Sequence, residues 1–88
     1  MTEREAREMI EQAGKDLGIE FADHGWQWLG PEFKGTRPPT MICTMALFPG
    51  LNFYIDFDSE WEQRGSVKVQ LDAARREGLK TITENLGL

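Results

Sequence analysis

The first twenty residues carry a helical pattern of apolar positions. Thr2 and Glu5 have the identities and the spacing of a capping box, in which each side chain bonds to the backbone of the other residue. Gly18 is placed to end the helix in the left-handed conformation. Apolar residues recur at steps of three and four, as on the buried face of a helix: Ala6, Met9, Ile10, Ala13 and Leu17. The sequence therefore predicts a helix between Thr2 and Gly18.

Two segments in the first half of the chain have the patterns of β-strands. Residues 19–28 alternate between apolar and polar on either side of Gly25, which predicts a strand that is broken or bulged there. Residues 40–48 are almost continuously apolar, as in a central strand that is covered on both faces. Between these segments, residues 30–39 contain two glycines and three prolines, so an exposed irregular loop is expected.

A third strand follows in Leu51–Asp58, where apolar and polar residues alternate strictly. We expect the apolar set to face the core, and Asn52, Tyr54, Asp56 and Asp58 to face solvent. The four residues from Phe48 to Leu51, with Pro-Gly at their centre, fit a type II turn. Residues 40–58 are therefore predicted to form an antiparallel hairpin.

The C-terminal segment fits two structures. Val67, Leu71 and Ala74 form a helical stripe, with Gly78 as a candidate C-cap or as a weak point within a longer helix. The residues from Val67 to Leu71 also alternate as a fourth strand would. The helix is favoured because residues 73–77 are good helix formers. The predicted fold is α+β, in the order αβββα: an N-terminal helix, a three-stranded antiparallel sheet and a C-terminal helix, with a single layer of helices on one face of the sheet.

Length and composition limit the classes of function. The 88 residues suffice for one domain, 1–88, with one core and no deep cleft between domains. The first twenty residues contain no apolar signal segment, and no apolar run approaches the roughly 20 residues that cross a bilayer. Cys43 is the only cysteine, as is typical of a reducing compartment. The sequence thus predicts a cytoplasmic protein without membrane contact. Its net charge of −5 disfavours direct nucleic-acid binding, which depends on clustered cations.

Four carboxylates within seven residues are the most distinctive chemical feature: Asp56, Asp58, Glu60 and Glu62. A solvated strand end explains them without any function. A cation site lacks the glycine and the final glutamate of a calcium loop. The remaining interpretation is an acidic docking surface for a basic partner, in which Trp61 would be an anchor because tryptophan is enriched at interface hot spots.

A second candidate surface combines aromatic and basic residues: Trp26, Trp28, Phe33, Lys34 and Arg37. Core packing is the favoured role of the two tryptophans, and contact with a protein partner through the loop is the alternative. Arg75 and Arg76 are interpreted as an ordinary solvated pair. His24 and Cys43 lack an orienting third group and the ligand number of a zinc site, so neither catalysis nor a metal is expected. No cofactor is expected.

These features predict a small acidic, non-enzymatic binding or inhibitor protein whose partner is a protein with a basic surface, such as one that binds nucleic acid. Small acidic inhibitors that phages direct against host defence proteins share this size and charge, and the likeness extends no further. The first alternative is a structural module that forms a homo-oligomer. The second is a small enzyme that uses carboxylates near residues 56–62, or His24.

Overall fold

The computed structural model describes residues 2–30, 39–57 and 67–86. Within these ranges the elements follow the predicted order αβββα. The helix α1 spans Glu3–Leu17, and the strands are β1 (Gln27–Leu29), β2 (Thr40–Cys43) and β3 (Phe53–Asp56). The helix α2 spans Val67–Asn85. The predicted fold class is therefore confirmed, and the choice of a helix over a fourth strand for residues 67–71 was correct.

The ends of α1 are fixed by the residues that the sequence indicates. Thr2 and Glu5 form both bonds of the capping box, with distances of 3.2 Å from the Glu5 amide to Thr2 Oγ1 and 3.0 Å from the Thr2 amide to Glu5 Oε1. Gly18 ends the helix with φ 72°. The apolar face of α1 buries Ala6, Ile10 and Ala13. The N-terminal prediction is confirmed in its boundaries and in its buried face.

The three strands form an antiparallel sheet in the order β1-β2-β3, with β2 in the centre. Trp28 lies opposite Met41, and Met41 lies opposite Ile55, so these side chains form one row across the same face of the sheet. Met41 and Ile55 belong to a core cluster that also contains residues of both helices. The helices pack against each other, α1 against β2 and α2 against β3. They form the expected single layer over this face.

The predicted break near Gly25 is present as a loop within the first strand region. Phe21 bridges to Met45, whereas Gln27 lies opposite Ile42, so five residues of one side oppose only two of the other. Gly25 lies within this loop with φ 88°. A β-carbon at this position would collide with the side chain of Thr44. Only glycine satisfies both the positive φ and the close approach.

The hairpin of β2 and β3 is confirmed, but its turn differs from the predicted one. The Leu51 amide donates to the Phe48 carbonyl at 3.0 Å, which closes a turn over the predicted four residues. Gly50 does not have the positive φ that a type II turn requires at this position. A second turn precedes it, because the Phe48 amide donates to the Met45 carbonyl at 3.0 Å. Two consecutive turns therefore connect the strands, and the type II prediction was wrong.

Two details of α2 correct the sequence interpretation. Gly78 is not a C-cap: the helix continues through it to Asn85, and the ring of Phe48 lies where a β-carbon of residue 78 would be. Arg75 is not an ordinary solvated residue, because its guanidinium donates to the Leu17 carbonyl at the end of α1 and to Asp72, both at 2.8 Å. Arg76 is the exposed member of the pair and bonds to Asp72 at 3.0 Å. Neither described helix is long and apolar enough to span a bilayer.

Candidate functional site

The predicted acidic surface at residues 56–62 falls largely outside the described residues. Asp58, Glu60, Trp61 and Glu62 lie there, and Asp56 is the member that the structure describes. Asp56 is half-buried and not directed fully to solvent: its carboxylate accepts a hydrogen bond of 2.9 Å from the buried hydroxyl of Thr40. Its backbone bonds to Gln70 of α2 at 2.9 and 3.2 Å. Asp56 therefore joins three elements, and this structural role corrects the expectation of a solvated side chain.

The aromatic surface is described at its two tryptophans, and Phe33, Lys34 and Arg37 lie outside the described residues. Trp28 packs edge-on against Phe57, with ring centroids 6.1 Å apart. Trp26 packs at 5.3 Å from Phe21 and donates from Nε1 to the Ala22 carbonyl at 3.2 Å. Both indoles are half-buried against the core cluster. These contacts support the favoured interpretation of core packing.

Trp26 also forms one wall of an open groove beside α1, here called the α1–Trp26 groove. Its volume is about 510 Å³. The guanidinium of Arg7 lies 4.5 Å above the Trp26 ring and forms an ion pair with Glu11 at 2.7 Å. Lys15 and Asp23 also line the groove. The groove therefore combines the Trp26 ring with basic and acidic side chains, and neither sign of charge dominates it.

The largest charge asymmetry of the described residues lies in α1 and the segment after it. Residues 2–23 contain seven acidic and three basic side chains, an excess of four negative charges. In contrast, α2 contains three acidic and four basic side chains. The seven carboxylates are all exposed and are here called the acidic N-terminal surface: Glu3, Glu5, Glu8, Glu11, Asp16, Glu20 and Asp23.

Sequence reasoning missed this surface because it gave weight to the dense run at residues 56–62. The sequence does contain a signal for this surface, which is the uneven distribution of acidic and basic residues along the chain. Nearly half of the 15 acidic residues, but only three of the 10 basic ones, precede residue 24. Much of a helix surface is exposed to solvent, so dispersed carboxylates on α1 lie closer in space than their spacing along the chain suggests.

A second groove, the α1–α2 groove, lies between α1 and the first turn of α2 and has a volume of about 650 Å³. Its floor is formed by Met9, Ala13 and Val67. At one end, Asp16 and Lys68 form an ion pair of 2.9 Å between the helices. Hydrogen bonds from Lys68 and, to a smaller extent, from Gln12 lower the pKa of Asp16. At the other end lie Glu5 and Glu8.

The chemistry of Cys43 is set by its burial. Cys43 is fully buried in β2, and desolvation raises the pKa of its thiol to about 12. A nucleophilic thiolate is therefore scarce at neutral pH. His24 is exposed in the loop before β1. Within residues 2–30, 39–57 and 67–86, no three His, Cys, Asp or Glu side chains converge in a way that could hold a metal ion.

Comparisons with protein-family models, curated proteins and solved structures give no significant match to this chain.

Proposed function

We propose that this protein is a non-enzymatic binding protein that docks on a protein partner with a basic surface. The observation that carries this proposal is the acidic N-terminal surface, where the capped helix α1 and the six residues after it display an excess of four negative charges. Complementary charge accelerates association and selects among partners. Five of the seven carboxylates lie on α1, so the helix sets their backbone positions before binding and less order has to be gained.

A protein is a better partner than nucleic acid. Phosphate backbones bind surfaces that supply clustered lysine and arginine, and the acidic N-terminal surface would repel them. Proteins that bind nucleic acid display such basic surfaces themselves. A protein of this class is therefore the partner we propose, with inhibition by occupation of its nucleic-acid site as the consequence. This is the mode of small acidic phage inhibitors of host defence.

A non-enzymatic role is supported by the state of the one thiol. A Cys–His nucleophile needs an accessible thiolate, and burial of Cys43 opposes its formation. The described carboxylates that line the two grooves beside α1 are all exposed to solvent, whereas acid–base catalysis commonly uses carboxylates in a desolvated site.

The test is a pair of charge-matched variants. Glu8→Lys with Glu20→Lys changes the acidic N-terminal surface, and Glu77→Lys with Glu84→Lys makes the same change in net charge on α2. All four side chains are exposed, so both variants should keep the circular dichroism spectrum and melting temperature of the parent. The parent protein is used to capture a partner from host lysate, which is identified by mass spectrometry and purified.

Affinity for the purified partner is then measured by calorimetry. We expect the first variant to bind about tenfold more weakly at low salt, with a smaller loss as salt rises, because screening weakens exposed charges. The α2 variant should retain parental affinity. Equal affinity of both variants, or a partner whose binding is independent of salt, contradicts the proposal.

The alternative of a homo-oligomer is supported by a different observation. Beyond Gly78, the last turns of α2 and the residue that follows the helix form an exposed apolar stripe at steps of three and four residues: Leu79, Ile82 and Leu86. This spacing lets two copies of the helix pack antiparallel around a two-fold axis, with each stripe against the other. Sedimentation equilibrium tests it: a mass that rises with concentration, and that falls back to the monomer in Ile82→Lys, supports it, and a monomer throughout rules it out.

A further inference from the structure

We infer that the α1–α2 groove accepts a helical segment of the partner in which an apolar residue is followed, one to two turns away, by lysine or arginine. This inference rests on the proposed function and names the chemistry of the segment that is bound. Two independent features of the groove carry it: an apolar floor and an asymmetric distribution of charge between its ends.

The floor of the groove suits an apolar side chain. Ala13 and Val67 are almost completely buried, and Met9 is half-buried between the core and solvent. Met9 packs against the core cluster but leaves part of its side chain toward the groove. The unbranched, polarizable side chain of methionine adapts to irregular apolar surfaces, and methionine is common at surfaces that bind helices.

The two ends of the groove differ in charge. The end at Asp16 is neutralised, because Lys68 bonds to Asp16 at 2.9 Å and joins the helices there. Among the described residues that line the groove, the end at Glu5 and Glu8 has no lysine or arginine. Glu8 does have a partner, Arg4, at 3.2 Å outside the groove, but both side chains are largely exposed. Such a pair contributes little, so a cation from the partner can share Glu8.

The geometry of α1 sets the spacing of the bound segment. Glu5 and Glu8 precede Ala13 by eight and five residues, which correspond to roughly 7–12 Å along a helix. A partner helix that lies along the groove covers this distance in one to two turns. The segment therefore carries an apolar anchor over Ala13 and Val67, next to Met9, and a cation four or seven positions away over the acidic end.

The probe is a fluorescent helix-forming peptide with one leucine and with lysines four and seven positions from it, and binding is followed by fluorescence anisotropy. Met9→Gln keeps the length and charge of the side chain but removes its apolar end, and it should weaken binding about tenfold. Glu8→Lys should weaken binding to a similar extent at low salt. Glu84→Lys, which makes the same charge change on α2, is the matched control and should bind like the parent.

Two further peptides separate the contributions. Replacing the leucine by alanine should reduce parental affinity and make Met9→Gln nearly neutral, whereas replacing the lysines by glutamate should abolish binding. If Met9→Gln binds the original peptide and its alanine variant each as tightly as the parent protein does, the groove inference is overturned. The proposed function then still stands if the Glu8 and Glu20 reversal weakens binding of the captured partner. If that reversal has no effect while Met9→Gln does, the proposed function fails and the groove takes a ligand of different chemistry.

Discussion

The side chain of Cys43 illustrates how the surroundings of one residue decide its chemistry. Cys43 lies on the core side of the central strand, opposite Phe53 and two residues from the buried Met41. Desolvation there raises the pKa of its thiol from 9.0 to about 12. The sequence already indicated this outcome, because a cysteine within an apolar run is usually a small buried hydrophobe.

We predict that Cys43 reacts about a thousandfold more slowly with a thiol reagent in the native protein at pH 8 than in urea, in line with the loss of thiolate. The pKa of the Cys43 thiol is higher in the folded protein than in the unfolded chain. The contribution of this thiol to the free energy of unfolding is therefore complete below pH 9 and is lost as pH rises toward 12. Urea unfolding at several pH values checks this against Cys43→Val, in which that part of the decline should disappear. A native rate equal to the rate in urea would contradict the burial.

Gly25 and Gly50 provide a matched pair of glycines. Gly25 combines φ 88° with the close approach of Thr44, whereas Gly50 lacks a positive φ and has open space where a β-carbon would be. We predict that Gly25→Ala lowers the free energy of unfolding by about 2 kcal/mol or more, from backbone strain and the collision with Thr44. Gly50→Ala should be neutral or stabilising by up to about 1 kcal/mol. Equal effects in chemical denaturation would be inconsistent with the loop described here.

Among the elements, the β3 strand depends on α2 for the bonding of its outer edge. β3 lies at the edge of the sheet, and Gln70 bonds to both the amide and the carbonyl of Asp56, as a neighbouring strand would. An edge strand with free backbone groups is a template for unwanted pairing. The side chain of Gln70 therefore protects this edge at Asp56 and fixes α2 to the sheet.

We predict that Gln70→Ala destabilises the protein by about 1–3 kcal/mol, because two part-buried backbone groups lose their partner. Gln70→Glu can still accept from the Asp56 amide but cannot donate to its carbonyl, and it adds a charge near the Asp56 carboxylate. It should therefore also be less stable than the parent. Urea unfolding measures both differences. If Gln70→Ala retained the stability of the parent, the hydrogen bonds of Gln70 to Asp56 would not contribute to the stability of the fold.

Local patterns predicted most of the elements because their causes are local. The capping box of α1 and the alternation in Leu51–Asp58 involve residues within a few positions of one another. The capping box is present as predicted, and the alternation marks β3, which is shorter, at Phe53–Asp56. One of the details that failed depends on tertiary packing. In the sequence Gly78 resembles a C-cap. In the structure glycine is needed there because the ring of Phe48, from the hairpin turn, occupies the space of a β-carbon. The other is local: Gly50 follows proline as in a type II turn, yet it lacks the positive φ of that turn, and a second turn precedes it.

At the scale of the whole molecule, the distribution of charge could be predicted only in part. The net charge of −5 and the excess of acidic residues before residue 24 come from the sequence, but the exposure of all seven of these carboxylates and the extent of the slightly basic α2 depend on the fold. The position of Asp56 shows the same limit. Its alternating pattern indicated solvent, and the buried hydroxyl of Thr40 on the neighbouring strand explains why it is half-buried instead.

Backbone amide chemical-shift mapping tests the central claim most directly. The ¹⁵N-labelled protein is titrated with the purified partner at low salt, and perturbations are assigned along the chain. We expect the largest shifts between Glu3 and Asp23 and at Val67 and Lys68, with little change from Leu79 to Leu86. The opposite distribution, in which residues 79–86 respond and α1 does not, would contradict docking through the acidic N-terminal surface.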